Sequence, residues 1–297
     1  WGILRAAVRG LSWALRKTLG VSGVVGLGGG ATMFLGVVET PLVLRAWFER
    51  MNRSELFMIM VLIMATISGA ILVLYATTLS KTVPNAVGHM IVASLISLPA
   101  AVLIARLMVP GDGSLRAEDV DADLKYESSM DAVIKGTMEG MQLVLAVIAI
   151  IIVVFALVNL TDQLLVLLPY VDAQPLTLKR IFGWLFAPLM WSIGIPWDQA
   201  PTAGALMGTK TILNEYVAYL DLAALPADTF DARSKLIITY ALCGVANLAS
   251  VGLLVSTIAT LAPTRRAEVS ALGMKSWVAG NMASAMTGAV IGLVTLA

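Results

Sequence analysis

The chain has 297 residues, 59% of them hydrophobic and 13% charged, with a formal net charge of +1. An ordinary soluble domain carries about 25% charged residues, so this composition describes an integral membrane protein with the lipid bilayer as its solvent. Lys and Arg lie between apolar segments and form no basic stripe, which argues against nucleic acid as a partner.

Residues 1–19 carry Arg5, Arg9, Arg16 and Lys17 on an amphipathic pattern, which predicts an interfacial helix, not a signal peptide or a span. The chain opens at Trp1 without an initiator Met, and we expect further membrane segments upstream. Residues 20–109 read as a first repeat. Its stretch 20–50 is apolar but broken by Gly, Pro and a carboxylate, the pattern of a re-entrant hairpin. Two spans follow, 55–80 and 86–109, each with the roughly 20 apolar residues that a crossing needs.

Residues 110–135 form a polar, acidic loop, expected on the cytoplasmic side. Residues 136–165 predict a scaffold transmembrane helix, with its apolar centre at 136–160. Residues 174–196 predict an interfacial helix, whose Trp184 and Trp191, with Trp197 just beyond, suit the membrane boundary. Residues 197–297 then form a second repeat, with a broken segment at 197–226 and spans at 235–262 and 271–297. If each hairpin returns to its own face, most Lys and Arg, including Arg45, Arg50, Arg53, Arg106, Arg265 and Arg266, fall on one side. Lys81, Lys179, Arg180, Arg233 and Lys235 fall on the other. The richer side is expected to be cytoplasmic, which gives a multi-pass protein of a bacterial-type inner membrane.

The two halves correspond: Glu39 maps to Glu215, Ser54 to Ser234, and Ile67 to Asn247. With an odd number of crossings between them the halves are inverted. Inverted repeats with broken helices mark secondary transporters, whose site lies at the midplane between the repeats. The fold expected is therefore all-α and membrane-integral, an inverted repeat of re-entrant hairpins plus transmembrane helices around a scaffold helix.

A carboxylate in mid-bilayer costs roughly 2.5–3.5 kcal/mol on the insertion scale, so Glu39 and Glu215 each need a cavity or a partner. Each can cap a hairpin half-helix, bind a polar solute, or do both. Asn214 beside Glu215, with Lys210 nearby, offers donors and acceptors suited to a hydroxylated solute. Asn247 and Ser250 are three apart and are expected on one helical face. Small residues around them also fit plain close packing. Cys243, the only cysteine, excludes a disulfide or cysteine zinc site within one chain and reads as core packing.

These residues reach a family. Gly36-x-x-Glu39-x-Pro41-Leu42, then "SEL", "ATISG" and "HMIVASLISLPAAVLIARL", then "LFAPLMWSIGIPW", "GTKTILNEYVAY" and "YALCGVANLASVG", resemble the concentrative nucleoside transporters in order along the whole chain. The resemblance implies a cation-coupled nucleoside importer without a cofactor, usually a homotrimer, in which a mobile hairpin-bearing domain moves past a fixed scaffold. It implies that Glu215, Asn247 and Ser250 bind the ribose hydroxyls; we expect Asn214 and Val245 in the same solute site.

In the family the first hairpin reads Gly-Gln-Thr/Ser-Glu, whereas here it reads Gly36-Val37-Val38-Glu39. Only the acid matches, so Val37 and Val38 pack against the solute without hydrogen-bonding it through their side chains. Base selectivity is expected to differ, and a different hydroxylated solute stays open. The family's sodium ligands fall on Thr32 and Leu35 at the hairpin turn and on Thr66 and Ile67 of the next helix. Proton coupling through Glu39 or Glu215 is the rival to sodium.

Other signals carry less. "GLGGG" at 26–30 has the glycines of a dinucleotide loop but not its strand–turn–helix context, and it suits close hairpin packing better. "GALMGTKT" at 204–211 fails phosphate-loop spacing because Thr209 separates Gly208 from Lys210. His89, at the start of a span, suits a local hydrogen bond. Two other classes remain to be set against a transporter: an intramembrane enzyme using Glu39 and Glu215 as an acid–base pair, and an assembly protein that has kept a transporter fold.

Overall fold

The computed structural model describes residues 3–111, 128–171 and 175–295, and its regular elements are helices. The first half contains α1 (Ile3–Leu19), α2 (Gly23–Thr32), α3 (Glu39–Leu44), α4 (Arg53–Ala65), α5 (Gly69–Leu79) and α6 (Ala86–Met108). α7 (Ser129–Leu165) follows. The second half contains α8 (Leu178–Ser192), α9 (Ala200–Ile212), α10 (Glu215–Ala224), α11 (Ala232–Leu242), α12 (Leu248–Leu261) and α13 (Arg266–Val294).

Both halves thus run in one order: an amphipathic helix, a pair of short helices joined at a tip, a helix broken in two, and a long final helix. By length and composition Arg53–Leu79, Ala86–Met108 and Pro263–Val294 suffice to cross a bilayer. The long helix expected over 136–165 lies within α7, which begins earlier, at Ser129, where the Ser128 side chain accepts from the Asp131 amide at 3.0 Å. Residues 112–127 of the expected polar loop 110–135 lie outside the described residues.

The amphipathic helices explain the glycine-rich stretches. α1 turns Val8, Ser12 and Leu15 onto α2, and a Cβ on Gly30 would meet the Val8 carbonyl oxygen at 2.8 Å. α8 does the same to α9, where a Cβ on Gly204 would sit 2.6 Å from Gly183 O and 2.8 Å from Ala187 N. Small residues let helix backbones approach where lipid supplies no hydrophobic drive for association. The "GLGGG" and "GALMG" glycines therefore have a packing role. Trp184, Trp191 and Trp197 stay exposed on the outer side of this layer.

Two stretches read as continuous spans are interrupted. In 55–80, α4 stops at Ala65 and α5 starts at Gly69, with Thr66 and Ser68 extended. The run Thr66-Ile67-Ser68-Gly69 joins β-branched residues to a cap and a glycine, all poor helix formers. In 235–262, α11 stops at Leu242 and Asn247 starts α12, with Gly244 in the break. The free carbonyls and amides at such breaks are tolerated in a membrane only where protein or a cavity meets them.

Each hairpin packs on the other half's broken helix, α3 against α12 and α10 against α5. One apolar cluster therefore joins the first hairpin and α4 to α12 and α13. The second joins α5 and the start of α6 to α9, α10 and α11. Arg265 ties the ends together on one side, donating to Phe48 O and Met51 O at 2.6 Å each. On the other side Arg233 donates to Gly194 O at 2.7 Å and to Gly292 O at 2.8 Å.

Candidate functional site

Where the hairpin tips meet the helix breaks there is a cavity of about 320 Å³, within the range of small-molecule sites. Four helix starts line it: α3 through Val38 and Glu39, α5 through Ser68 and Ala70, α10 through Asn214 and Glu215, and α12 through Asn247, Ala249 and Ser250. Helix starts leave amides unsatisfied, so this geometry concentrates hydrogen-bond donors around one space.

Glu215, 5% exposed, is the first residue of α10. Its Oε1 accepts from the Tyr75 hydroxyl at 2.7 Å and its Oε2 from Asn247 Nδ2 at 3.2 Å. Asn247 uses its other amide atom locally, Oδ1 accepting from the Ser250 amide at 2.8 Å. The relation between Asn247 and Ser250 is thus a cap, with Asn247 extended at φ −126°, not two positions on one helical face as the spacing predicts. Asn214 caps α10 in the same way, its Oδ1 2.9 Å from the Val217 amide. The Asn214 Nδ2, the Ser250 hydroxyl and the Tyr216 hydroxyl all remain available on this wall.

Glu39 opens α3, half-buried, and its carboxylate accepts no hydrogen bond among the described residues. A Cβ on Gly36 would collide with that carboxylate, so the glycine gives it room at the hairpin tip. Val37, Val38 and Val245 line the same cavity and make an aliphatic surface.

Thr32, Leu35 and Thr66 also face the cavity, whereas Ile67 does not line it and is 1% exposed within the second apolar cluster. Thr32 Oγ1 donates to Gly29 O and Thr66 Oγ1 to Leu62 O, both at 2.9 Å. With those protons committed to their own helices, both hydroxyl oxygens keep lone pairs free to accept. That is the donor set a hard monovalent cation takes, to which Leu35 and Ile67 can add only backbone carbonyls.

Lys210 is the correction to the sequence reading. It does not line the cavity: it is fully buried behind the hairpin, with Nζ 3.0 Å from Asn281 Oδ1. Thr211 Oγ1 shares that oxygen at 3.2 Å, and Asn281 Nδ2 donates to Ala246 O at 3.0 Å. The lysine therefore joins the second hairpin to α13 and to the break in α11–α12.

Tyr75, Ser68 and Asn281 were missed from sequence. Tyr75 had a signal, a phenol within the apolar run "GAILVLYATTL", since a buried phenol seeks a partner. Nothing local marks Asn281 or Ser68. His89 makes a hydrogen bond, but not a local one: its Nδ1 lies 3.1 Å from the hydroxyl of Tyr240, 151 residues on in α11.

Residues 89–292 match the family model described as "Na+ dependent nucleoside transporter C-terminus". The chain is similar to an uncharacterized transporter of Haemophilus influenzae, 36% identical over 301 residues, covering 98% of this chain and 71% of the relative. It is 32% identical to the nucleoside permease NupC of Helicobacter pylori, covering 94% of this chain and 67% of that protein. Among solved structures it is similar to CNTnw in an inward-facing substrate-bound state. There the TM-score is 0.89 and the identity 34%, over 99% of this chain and 70% of that one.

Proposed function

Since this chain belongs to the concentrative, Na+-dependent nucleoside transporter family, we propose that it imports nucleosides across a cytoplasmic membrane by sodium symport. It is a multi-pass membrane protein of a transporter family, which sets aside the intramembrane-enzyme reading of Glu39 and Glu215.

The observation that carries the proposal is Glu215, held by Tyr75 and Asn247 on a wall where Asn214 and Ser250 also present polar atoms. Vicinal hydroxyls need a charged acceptor beside groups that both donate and accept, and this wall supplies them. The opposite wall, Val37 and Val38 with Glu39, takes the flat apolar face of a base and offers its edge one acceptor.

Sodium would bind between the hairpin tip and the α4–α5 break, on the hydroxyls of Thr32 and Thr66 and the carbonyls of Leu35 and Ile67. Its charge there would stabilise the tip against the break and so couple ion occupancy to closure over the solute. Transport follows if the hairpins and broken helices move as one body past a scaffold that includes α7, in a homotrimer with inverted halves.

A second reading rests on Val37 and Val38: the same device carrying another hydroxylated solute, because two polar contacts to a base are absent. The test is uptake of labelled uridine and adenosine into proteoliposomes under an inward sodium gradient, a proton gradient, or neither. Sodium-driven accumulation of intact nucleoside is expected. Accumulation under a proton gradient alone would replace the coupling ion, and no uptake by folded protein would favour the second reading.

A further inference from the structure

The first-half wall of the cavity is short of hydrogen-bond donors. Val37 and Val38 have none, Glu39 as a carboxylate only accepts, and the Thr32 and Thr66 protons are committed to Gly29 O and Leu62 O. The Tyr75 hydroxyl is committed to Glu215. Among the described residues that leaves one first-half side chain on the cavity with an uncommitted O–H, Ser68.

Ser68 stands in the N-cap position of α5 with extended backbone, φ −71° and ψ 147°, yet makes no side-chain cap bond. It is 7% exposed, and its hydroxyl has no partner among the described residues. A buried hydroxyl on a cavity wall, unused by the protein, is a group waiting for a ligand. The helix beneath it has the same vacancy. Its first acceptor, Ser68 O, serves the Ile71 and Leu72 amides, while the Gly69 and Ala70 amides have no acceptor among the described residues. The second half differs: Asn214 and Asn247 cap their own helices, so the α10 and α12 starts are partly satisfied internally.

We propose that Ser68, with the first-turn amides of α5, is the hydrogen-bond donor that reads a carbonyl on the base of the transported nucleoside, beside Glu39, which takes the neighbouring N–H. The inference rests on the nucleoside-import reading above. The sodium proposed above takes Thr66 and the Ile67 carbonyl just past the end of α4, whereas Ser68 stands at the start of α5, where partial positive charge favours a carbonyl acceptor. The cargo best matched is a nucleoside whose base carries a lactam edge, a carbonyl next to an N–H, as in uracil or hypoxanthine.

The experiment compares uridine with its 2-thio and 4-thio analogues as competitors of labelled uridine uptake, in wild type, Ser68→Ala and Ser68→Thr. Sulfur is a weak acceptor, so replacing the carbonyl that Ser68 reads should cost roughly three- to tenfold in apparent affinity in wild type. In Ser68→Ala that discrimination should fall to less than about twofold, and in Ser68→Thr, which keeps the hydroxyl, it should persist. The missing cap bond means that Ala does not unsettle α5, so expression and melting temperature should be unchanged.

Equal thio discrimination in wild type and Ser68→Ala overturns the proposal. So does a rise in the sodium concentration needed for half-maximal uptake with discrimination intact, which would assign Ser68 to the ion. Failure of wild type to take up or bind any ribonucleoside would overturn the import reading as well, and is distinguishable because it precedes any effect of the variants.

Discussion

The Tyr75 hydroxyl lies 2.7 Å from Glu215 Oε1, a bond between residues 140 apart that joins the broken helix of one half to the hairpin of the other. Tyr75 also stacks on Tyr216, ring centroids 5.7 Å apart and 17° from parallel, so one side chain fixes both the acid and the aromatic next to it. Tyr75→Phe keeps the stack and removes the bond. A hydrogen bond to a charged group contributes about 1.5–3 kcal/mol and this one is made within the protein itself, so the melting temperature should fall by a few degrees, and the nucleoside KM should rise as Glu215 loses the group that orients it.

Glu215→Gln should weaken solute binding at least tenfold, since a neutral amide accepts more weakly and turns a donor toward Tyr75 or Asn247. Val37→Ala trims an aliphatic contact on the other wall and should change binding less than about threefold. Isothermal titration of detergent-solubilised variants compares them directly. Equal, negligible effects would sink the site assignment.

Gly204→Ala should destabilise the protein by about 1–3 kcal/mol, because its Cβ would meet backbone atoms of α8 at 2.6 and 2.8 Å and neither can rotate away. Gly30→Ala should behave alike against Val8 O on α1. Gly252→Ala, with nothing within 4 Å of the new methyl group, should be neutral or slightly stabilising. Thermal unfolding of the three variants in one detergent separates packing glycines from an incidental one.

Asp231 predicts an acid sensitivity outside the membrane core. Partial burial pushes its carboxyl up, but the Ser234 amide at 2.7 Å and hydroxyl at 3.0 Å, with Gln199, outweigh it and hold the group below the usual carboxylate range. A folded-state pKa below the unfolded one contributes stability that is present above the unfolded value and lost as pH falls through the folded one. Wild type should therefore lose more melting temperature than Asp231→Asn between neutral pH and about pH 3, and the two curves should converge at the acid end. Parallel curves would remove Asp231 as the cause.

The sequence by itself determined the solvent, the helical class, the order of the elements and the two acids. Composition and apolar run length report directly on lipid, and a carboxylate in such a run needs a reason wherever it lies. Glu39, Asn214, Glu215, Asn247, Ser250 and the three valines are the positions expected from sequence to face a solute, and all of them line one cavity. The stretches 55–80 and 235–262 read as whole spans, because hydropathy averages over a window and three to five non-helical residues leave the average apolar. Lys210 read as a neighbour of the solute, because proximity in the chain does not say which face of a helix meets Asn281. Only the tertiary structure decided which donors are spent inside the protein and which remain for a solute, because that depends on partners far apart in sequence, as in Tyr75 and Glu215. Hydrogen-bond satisfaction is a property of the packed whole, and it is what leaves the Ser68 hydroxyl open on the cavity.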